Sequence, residues 1–301
     1  MSQGLIMVSE SFRIAVPYAC AAVGGVWAER SGIIQIGLEG VLLTSAFSGI
    51  AVASMTGSPI IGVAAGMIAG MGISILHAWL VERTRIDAVV SGIALNLLAY
   101  SMTRLLLQAL YDSASNSPSI EGFRVGPTGT GGWQMLARVL LDPVTVLAVL
   151  AIAVTPWMLT KTRLGLRIRA CGENPTAALA AGIDVARVRF IALGISGAIC
   201  ALGGIHLAFD QHRFESGMSG GRGFIALAAV VLSGWRAGRA AMACIAFGFL
   251  EALQILLQDL SRTSNAASLI QLLPFVATLV VLALGIGRAA APKGLGRHAK
   301  G

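Results

Sequence analysis

Apolar segments long enough to cross a bilayer follow one another along almost the whole chain. A helix needs about 20 such residues to cross a hydrocarbon core of about 30 Å. The sequence predicts about nine membrane elements, at 12–28, 33–56, 59–82, 86–110, 143–160, 190–209, 223–235, 240–260 and 269–286. Only 12% of the residues are charged, about half the fraction of a soluble domain. We therefore expect an all-α, polytopic transmembrane bundle of about eight to ten elements, forming a single domain over 1–301.

The cation-rich turns fall on one side of this predicted topology, and the formal net charge is +8. Short connections with an excess of Lys and Arg face the cytoplasm. The cytoplasmic turns are predicted at Arg83 and Arg85 and at Arg236 and Arg239, and the basic tail predicts a cytoplasmic C-terminus. Residues 111–142 are predicted to form an extracytoplasmic loop with a short interfacial piece at Trp133. A compact basic patch interleaved with aromatic residues is missing from the sequence, which argues against nucleic-acid binding.

Two predicted elements are interrupted by glycine. One contains IIQIGLEGVLL, in which Gln35 and Glu39 stand among glycines, and the other contains GRGFIALAAVVLSGW, which is too short to cross as a straight helix. A carboxylate inside a spanning segment is costly, and glycines let a helix break or pack closely. The segments run in opposite directions, as halves of an inverted repeat would, with a solute path between them. A separate series, Gly62, Gly66 and Gly70, predicts a packing stripe.

The longest polar interruption in the second half of the chain is 161–189, where six cations oppose only Glu173 and Asp184. This cation excess predicts a cytoplasmic loop. A short helix is predicted within it, because Asn174 can cap, Pro175 suits the first helical position and Gly182 can supply a left-handed stop. Such a helix on the cytoplasmic face is suited to docking.

Motifs for covalent chemistry are missing from the sequence. There is no HExxH or GxSxG pattern, and the four cysteines lack metal-ligand spacing. A nucleotide-binding P-loop needs Gly-Lys followed by Ser or Thr, which none of Lys161, Lys293 and Lys300 provides. We therefore expect no catalytic, metal or cofactor site in this chain, and any ATP chemistry must reside on another chain.

Three motifs in the right order carry a family resemblance: IIQIGLEGVLL, RLGLRIRACGENPTAALAAGIDVARVRFIALGISGAICALGG and GRGFIALAAVVLSGW. From about Ile33 to Ile286 the chain resembles the membrane permeases of bacterial ABC importers, in the simple sugar/nucleoside (branched-chain amino acid/ribose-like) branch. The resemblance implies a multi-pass protein of the bacterial plasma (inner) membrane that pairs with an identical or sister permease. It also implies cytoplasmic ATPase subunits that hold ATP and Mg, and a periplasmic or lipid-anchored solute-binding protein.

The same resemblance implies that the short helix of 161–189 is a coupling helix that fits a groove on the ATPase. The matching positions are Gly172, Glu173, Asn174, Pro175, Ala177, Ala178, Ala181 and Gly182. The IGLEG and GRGFIALAAV patterns look most similar to nucleoside-type members. SGWRAGRAA departs from the usual turn after the broken helix, so the shape of that loop is not implied.

Four residues are candidates for the solute path: Gln35, Glu39, Asn96 and Phe224. Glu39 either bonds a ribose hydroxyl or accepts backbone N–H groups at the helix break, and the second interpretation is favoured. Asn96 either contacts solute or links helices. Phe224 either stacks on a base or packs. At the outer end of 190–209, His206 and Asp210 either form a solvated boundary, which is the favoured interpretation, or contact the binding protein.

The predicted function is a permease subunit that translocates a nucleoside or related small sugar-type solute into the cytoplasm, with energy from a separate ATPase. Alternatives are an ABC permease for a pentose, simple sugar or free nucleobase, and an ion-coupled secondary transporter, which would need no ATPase. A purely structural membrane subunit is a further alternative. A membrane enzyme would need a reactive constellation at one bilayer depth, which the sequence does not contain.

Overall fold

The computed structural model describes residues 2–123, 131–260, 272, 276 and 291–297. Within these residues the chain forms eleven α-helices: α1 Ser2–Arg30, α2 Leu38–Thr56, α3 Pro59–Arg83, α4 Ala88–Tyr111, α5 Gly132–Leu141, α6 Pro143–Lys161, α7 Arg163–Glu173, α8 Pro175–Ala180, α9 Val185–Asp210, α10 Arg222–Leu232 and α11 Ala237–Leu260. Seven of them, α1 to α4, α6, α9 and α11, are long and apolar enough to cross a membrane, and α10 is a shorter apolar helix. The chain is a multi-pass, all-α membrane protein.

Local sequence explains most helix starts. Asp87 accepts hydrogen bonds from the N–H groups of Val89 and Val90, and so caps α4. Asp184 caps α9 in the same way through the N–H of Arg187. Pro59 and Pro143 occupy first-turn positions of α3 and α6, where a missing N–H costs nothing.

Eight of the nine predicted elements have a helix in their place, and 269–286 lies almost entirely outside the described residues. Three boundaries were wrong by five residues or more. The element predicted over 190–209 begins at Val185, where Asp184 caps it. The element predicted over 12–28 begins ten residues earlier, at Ser2, because its polar residues are satisfied within the bundle: Ser9 and Ser11 are buried, and the Ser11 hydroxyl donates to the Met7 carbonyl. The element predicted over 33–56 is helical only from Leu38, so 33–37 crosses as irregular chain.

The centre of the bundle is α9, which is buried along most of its length between α1, α2 and α3. Small residues allow this approach. A Cβ on Gly204 would overlap with the carbonyl of Leu42, and one on Gly24 would lie 2.7 Å from the Ser196 carbonyl oxygen. Helices in a membrane associate through close packing of this kind.

The predicted stripe Gly62, Gly66 and Gly70 is confirmed as a packing surface of α3. A Cβ at Gly62 would lie 2.6 Å from the Gly49 carbonyl oxygen of α2, and one at Gly70 would lie 2.7 Å from the Ala201 Cβ of α9. Gly72, on the same helix, has no neighbouring atom within 4 Å. The stripe therefore seats α3 between α2 and α9.

The bundle has two polar ends. The basic face, as we call one of them, comprises the ends of α1, α3 and α6, the helices α7 and α8, and residues 291–297. Residues 291–297 join it through backbone bonds from Gly294 to the Gly172 carbonyl (2.8 Å) and from Gly296 to the Gly32 carbonyl (2.9 Å). The outer face, at the other end, comprises 112–123, α5 and 211–216, where Phe214 packs edge-on against Phe47 at 5.2 Å.

Candidate functional site

The two glycine-interrupted segments meet through Glu39. Its carboxylate accepts hydrogen bonds from the N–H of Gly221 at 2.7 Å and from the N–H of Gly223 at 2.6 Å, which are first-turn groups of α10. A Cβ on Gly223 would lie 2.5 Å from the Glu39 backbone nitrogen, so glycine is required for this approach. Glu39 also lies in the first turn of α2. One carboxylate thus serves the positive ends of two helices, an arrangement that helix dipoles favour.

This junction lies deep in the bundle. Helix α10 has 11 residues and is therefore about 16 Å long. Its far end leads to Trp235, whose indole N–H donates to Glu29 Oε2 at 2.5 Å beside the basic-face end of α1. The start of α10 is therefore about half of a ~30 Å bilayer core away from the basic face.

Asn96 of α4 holds the interrupted chain on the other side of the junction. Its Oδ1 accepts from the Gly40 N–H at 2.8 Å, and its Nδ2 donates to the Ile36 carbonyl at 3.0 Å. The side chain therefore replaces backbone partners that 33–37 loses by leaving the helix. In this geometry Asn96 links helices, and Glu39 occupies the helix-break role that the sequence favoured.

The other two path candidates lie apart from this pair. Gln35 is fully buried, where its Nε2 donates to Ser74 Oγ at 3.3 Å. Its Oε1 is buried without a partner among the described residues. Phe224 lies on the first turn of α10 with half of its surface exposed, so it faces away from the core. The structure does not bring Gln35 and Phe224 together.

A partly buried charge network beside the junction was not predicted. Arg222, which starts α10, donates to Glu251 Oε1 of α11 at 2.8 Å, and Tyr18 of α1 donates to Glu251 Oε2 at 2.6 Å. The guanidinium also lies 5.7 Å from the centre of the Tyr18 ring. The signal was present in the sequence as an isolated Glu251 in an apolar segment, which requires a partner. The network fixes the start of the short helix to α1 and α11.

The short capped helix that was predicted within 161–189 is confirmed as α8. Asn174 Oδ1 accepts from the Ala177 N–H at 3.0 Å, Pro175 takes the first helical position and Gly182 ends the segment with a φ of 77°. Helix α7, in contrast, was missed, because its cations were read only as orientation signals. Thr162 caps α7 by accepting from the Gly165 N–H at 3.1 Å.

The candidate coupling residues divide into two groups. Pro175 and Ala178 are buried against the bundle, and Gly172 is so close to the Arg30 carbonyl that a Cβ would overlap with it. These three position α8. Glu173 is half exposed and lies 3.7 Å from Arg30, with which it forms an ion pair. Asn174, Ala177, Ala181 and Gly182 are exposed.

The exposed surface of α8 includes one large apolar residue that the sequence-based set omitted. Leu179 is 43% exposed, next to the exposed Ala180 and Ala181. The 3.6-residue helical period does not predict this exposure, because Leu179 follows the buried Pro175 by four residues and would share its face. Leu179 is the apolar centre of the surface that α8 presents.

Arg189 is one of the six cations from which 161–189 was predicted to be a cytoplasmic loop, and it also has a structural role. It is 1% exposed, pairs with Glu82 at 2.5 Å, and donates to the carbonyls of Ser31 and Arg297. Removing one member of a buried pair leaves an uncompensated charge. Arg189 therefore ties α9 to α3, to the turn after α1 and to residues 291–297.

At the outer face, His206 was predicted to be solvated but is buried. Its Nδ1 lies 3.1 Å from Thr145 Oγ1 and 3.9 Å from Asp142 Oδ2. Burial acts to raise the pKa of Asp142, but His206 and the hydrogen bonds from Thr145 outweigh it and hold this pKa below its ordinary value. Asp210 pairs with Arg13 at 2.9 Å. These contacts join the outer ends of α1, α6 and α9.

A membrane bundle with helices that break at mid-depth and a short capped helix held on a basic face defines the membrane subunit of a transporter. Residues 7–282 match the family described as "Branched-chain amino acid transport system / permease component", and the chain belongs to that family.

Among its relatives, the guanosine ABC transporter permease protein NupQ of Bacillus subtilis is 35% identical, over 97% of this chain and 95% of its own. The nucleoside ABC transporter permease protein NupC of Lactococcus lactis is 33% identical, over 96% and 94%. A metal-chelate type ABC transporter, solved in an inward-facing conformation, shares the fold with a TM-score of 0.52 and 14% identity, over 93% of this chain and 85% of that one.

Proposed function

We propose that this chain is the permease subunit of an ABC importer that carries a nucleoside into the cytoplasm, with energy from separate ATPase subunits. The observation that carries the proposal is α8, a capped helix that is anchored to the bundle by Pro175 and Ala178 and presents Leu179 on the basic face. This face is the cytoplasmic one, because Lys and Arg accumulate on it. The C-terminus is then cytoplasmic, and 111–142 is extracytoplasmic.

Motion of the ATPases reaches the solute path through the elements that flank α8. Helix α8 is joined to α7 and α6 on one side and to α9 on the other, and α9 packs on α1, α2 and α3. A displacement of α8 by docked ATPase subunits is therefore transmitted to the helices that surround the junction of Glu39 with α10. Repacking of such helices opens the path alternately to each side. ATP and Mg are held by the ATPase, and no step of the transport forms or breaks a covalent bond in this chain.

A nucleoside is the favoured solute because the relatives named for guanosine and for nucleosides cover almost all of this chain. The remaining subunits follow from the importer class: a second permease, identical or sister, two ATPases and a binding protein at the outer face. The complex belongs in the bacterial plasma membrane.

The test is a purified complex of this permease with the ATPase, second permease and binding protein from the same source. We expect the ATPase to co-purify, and the binding protein to stimulate ATP hydrolysis in the presence of a nucleoside. A competition panel of guanosine, uridine, guanine, ribose and leucine then identifies the solute. Competition by nucleosides supports the proposal. Competition by ribose, guanine or leucine alone would replace the nucleoside with that solute class.

A further inference from the structure

One exposed stripe of α4 is polar although it lies within a spanning helix. Tyr100, Arg104 and Gln108 are spaced four residues apart and so lie on one helix face, with Ser101 beside them. All four residues are exposed, and Tyr100 is 46% exposed. Within the described residues, none of the four side chains has a hydrogen-bond or ion-pair partner. The polar stripe, as we call these four residues, therefore lacks protein partners within this part of the chain.

The neighbouring sector of the same helix is apolar. Leu98 and Met102 are about half exposed, at 48% and 49%. The buried side of α4 carries Ala99, Thr103 and Leu107. The outer half of α4 thus has three sides, one in the bundle, one suited to lipid and one polar.

The polar stripe lies too deep in the membrane to serve only as an anchor at the interface. Arg104 precedes the helix end at Tyr111 by seven residues, or about 10 Å, which a long side chain can cover by extending to the headgroups. Ser101 and Tyr100 lie a further turn inward, at about 15 Å, and their short or rigid side chains cannot reach the headgroups. A charged residue within a spanning helix normally faces a bundle interior or a water-filled cavity. The polar stripe requires water, a polar ligand or a polar surface of the second permease along its length.

The stripe also leads to the broken helices. A Cβ at Gly217 would lie 3.3 Å from Tyr100 Cε2, so Tyr100 touches the connection that enters α10. One turn inward, Asn96 holds Gly40, the residue after Glu39. The stripe residues, together with Leu105, Ala109 and Ala114, line a shallow open groove of about 600 Å³.

We infer that the polar stripe is one wall of the water-filled solute path. Arg104 and Gln108 donate hydrogen bonds to hydroxyl groups of a neutral, ribose-bearing solute, and the Tyr100 ring stacks on its base. This inference rests on the proposed function for the identity of the solute. It assigns solute contact to α4 residues outside the set that the sequence suggested.

Cysteine accessibility in the full complex tests the inference. Ser101→Cys, Arg104→Cys and Gln108→Cys are reconstituted singly, with Leu98→Cys and Met102→Cys as controls on the apolar sector. A membrane-impermeant thiosulfonate reagent is added with and without guanosine and binding protein. The four native cysteines are buried, and the unsubstituted protein gives the background. We expect labelling at the three stripe positions but not at the controls, and protection by guanosine.

Transport gives the second readout. Arg104→Leu should lower solute uptake about tenfold, because it removes the charged hydrogen-bond donor to the solute. ATP hydrolysis should continue, because the substitution does not alter the surface that contacts the ATPase. Arg104→Lys should recover part of the uptake.

Three results would overturn the inference. They are an unlabelled Ser101→Cys, equal labelling of stripe and control positions, and stripe labelling that guanosine does not reduce in a complex that transports guanosine. If the wild-type complex imports no nucleoside or sugar, the proposed function fails and the solute contact fails with it. Absence of labelling at Ser101→Cys in a transporting complex overturns this inference alone.

Discussion

At the residue scale, the Glu39 carboxylate is satisfied by backbone N–H groups rather than by a cation. Its two bonds, to the N–H groups of Gly221 and Gly223, are 2.7 and 2.6 Å long. Hydrogen bonds with a charged partner are stronger than neutral ones, and here they join the starts of two broken helices. Glu39 is therefore part of the fold of the junction.

Replacing Glu39 tests this role. Glu39→Ala leaves two deep N–H groups without acceptors, at a cost of about 1–3 kcal/mol each, so we expect a clear loss of thermal stability in detergent. Glu39→Gln keeps an acceptor and should lie between Ala and wild type. Fluorescence-detected melting measures the order. An Ala variant as stable as wild type, with altered solute preference, would reassign Glu39 to solute binding.

The lowered pKa of Asp142 predicts that the stability of the outer face depends on pH. Its pKa is lowered in the folded protein, so its contribution to stability is present above the ordinary pKa of 3.8 and is lost as the pH falls through the lower folded value. The stability difference between wild type and Asp142→Asn should therefore shrink below about pH 4. Melting temperatures between pH 6 and pH 3 measure it. A difference in melting temperature between wild type and Asp142→Asn that stays constant over this range would contradict a stabilising role of the Asp142 carboxylate.

At the element scale, α8 has one face for anchoring and one for contact. Ala178 is buried, so a charge placed there would damage packing and could not test docking. Leu179 is exposed beside it and offers a cleaner site. The central apolar residue of an interface commonly carries a large share of the binding free energy.

Leu179→Glu should therefore leave expression, membrane insertion and melting temperature unchanged. It should lower stimulated ATP hydrolysis and solute uptake by about tenfold or more, as expected for the loss of an interface anchor. Thr176→Glu, at an exposed position on the first turn of α8, controls for added charge. Unchanged transport by Leu179→Glu would show that the ATPase contact lies elsewhere.

Two glycines of α3, Gly70 in the stripe and Gly72 outside it, allow a matched pair of substitutions. Gly70→Ala forces a Cβ to within 2.7 Å of Ala201, and overpacking of this kind costs about 1–3 kcal/mol. Gly72→Ala meets no atom within 4 Å and should be neutral or stabilising by up to about 1 kcal/mol, since alanine is the better helix former. Melting of the two variants side by side tests the stripe, and equal melting temperatures would contradict it.

Most elements, but few of their contacts, could be predicted from the sequence. Hydropathy located eight of the nine elements, and Asn174, Pro175 and Gly182 predicted α8, because spans and caps are local properties. Gln35 shows what local patterns cannot give: whether a polar residue faces solute or a buried partner depends on helices distant in the sequence. The long-range pairs Arg189 with Glu82 and Arg222 with Glu251 were missed for the same reason.

At the scale of the whole molecule, the proposed mechanism has the ATPase act on the basic face and the solute pass beside the deep junction. Helix α9 connects the two, because it begins beside α8 and packs against α1, α2 and α3. In this mechanism the chain itself converts no energy, which distinguishes it from a transporter driven by an ion gradient.

Solute uptake under switched energy sources tests that claim most directly. Proteoliposomes carry the permease complex with its binding protein, and labelled guanosine is supplied with internal ATP or with an imposed proton or sodium gradient. We predict uptake with ATP and a functional ATPase, and none when the ATPase is omitted or cannot hydrolyse ATP, whatever the gradient. Uptake driven by an ion gradient in the absence of the ATPase would contradict the account.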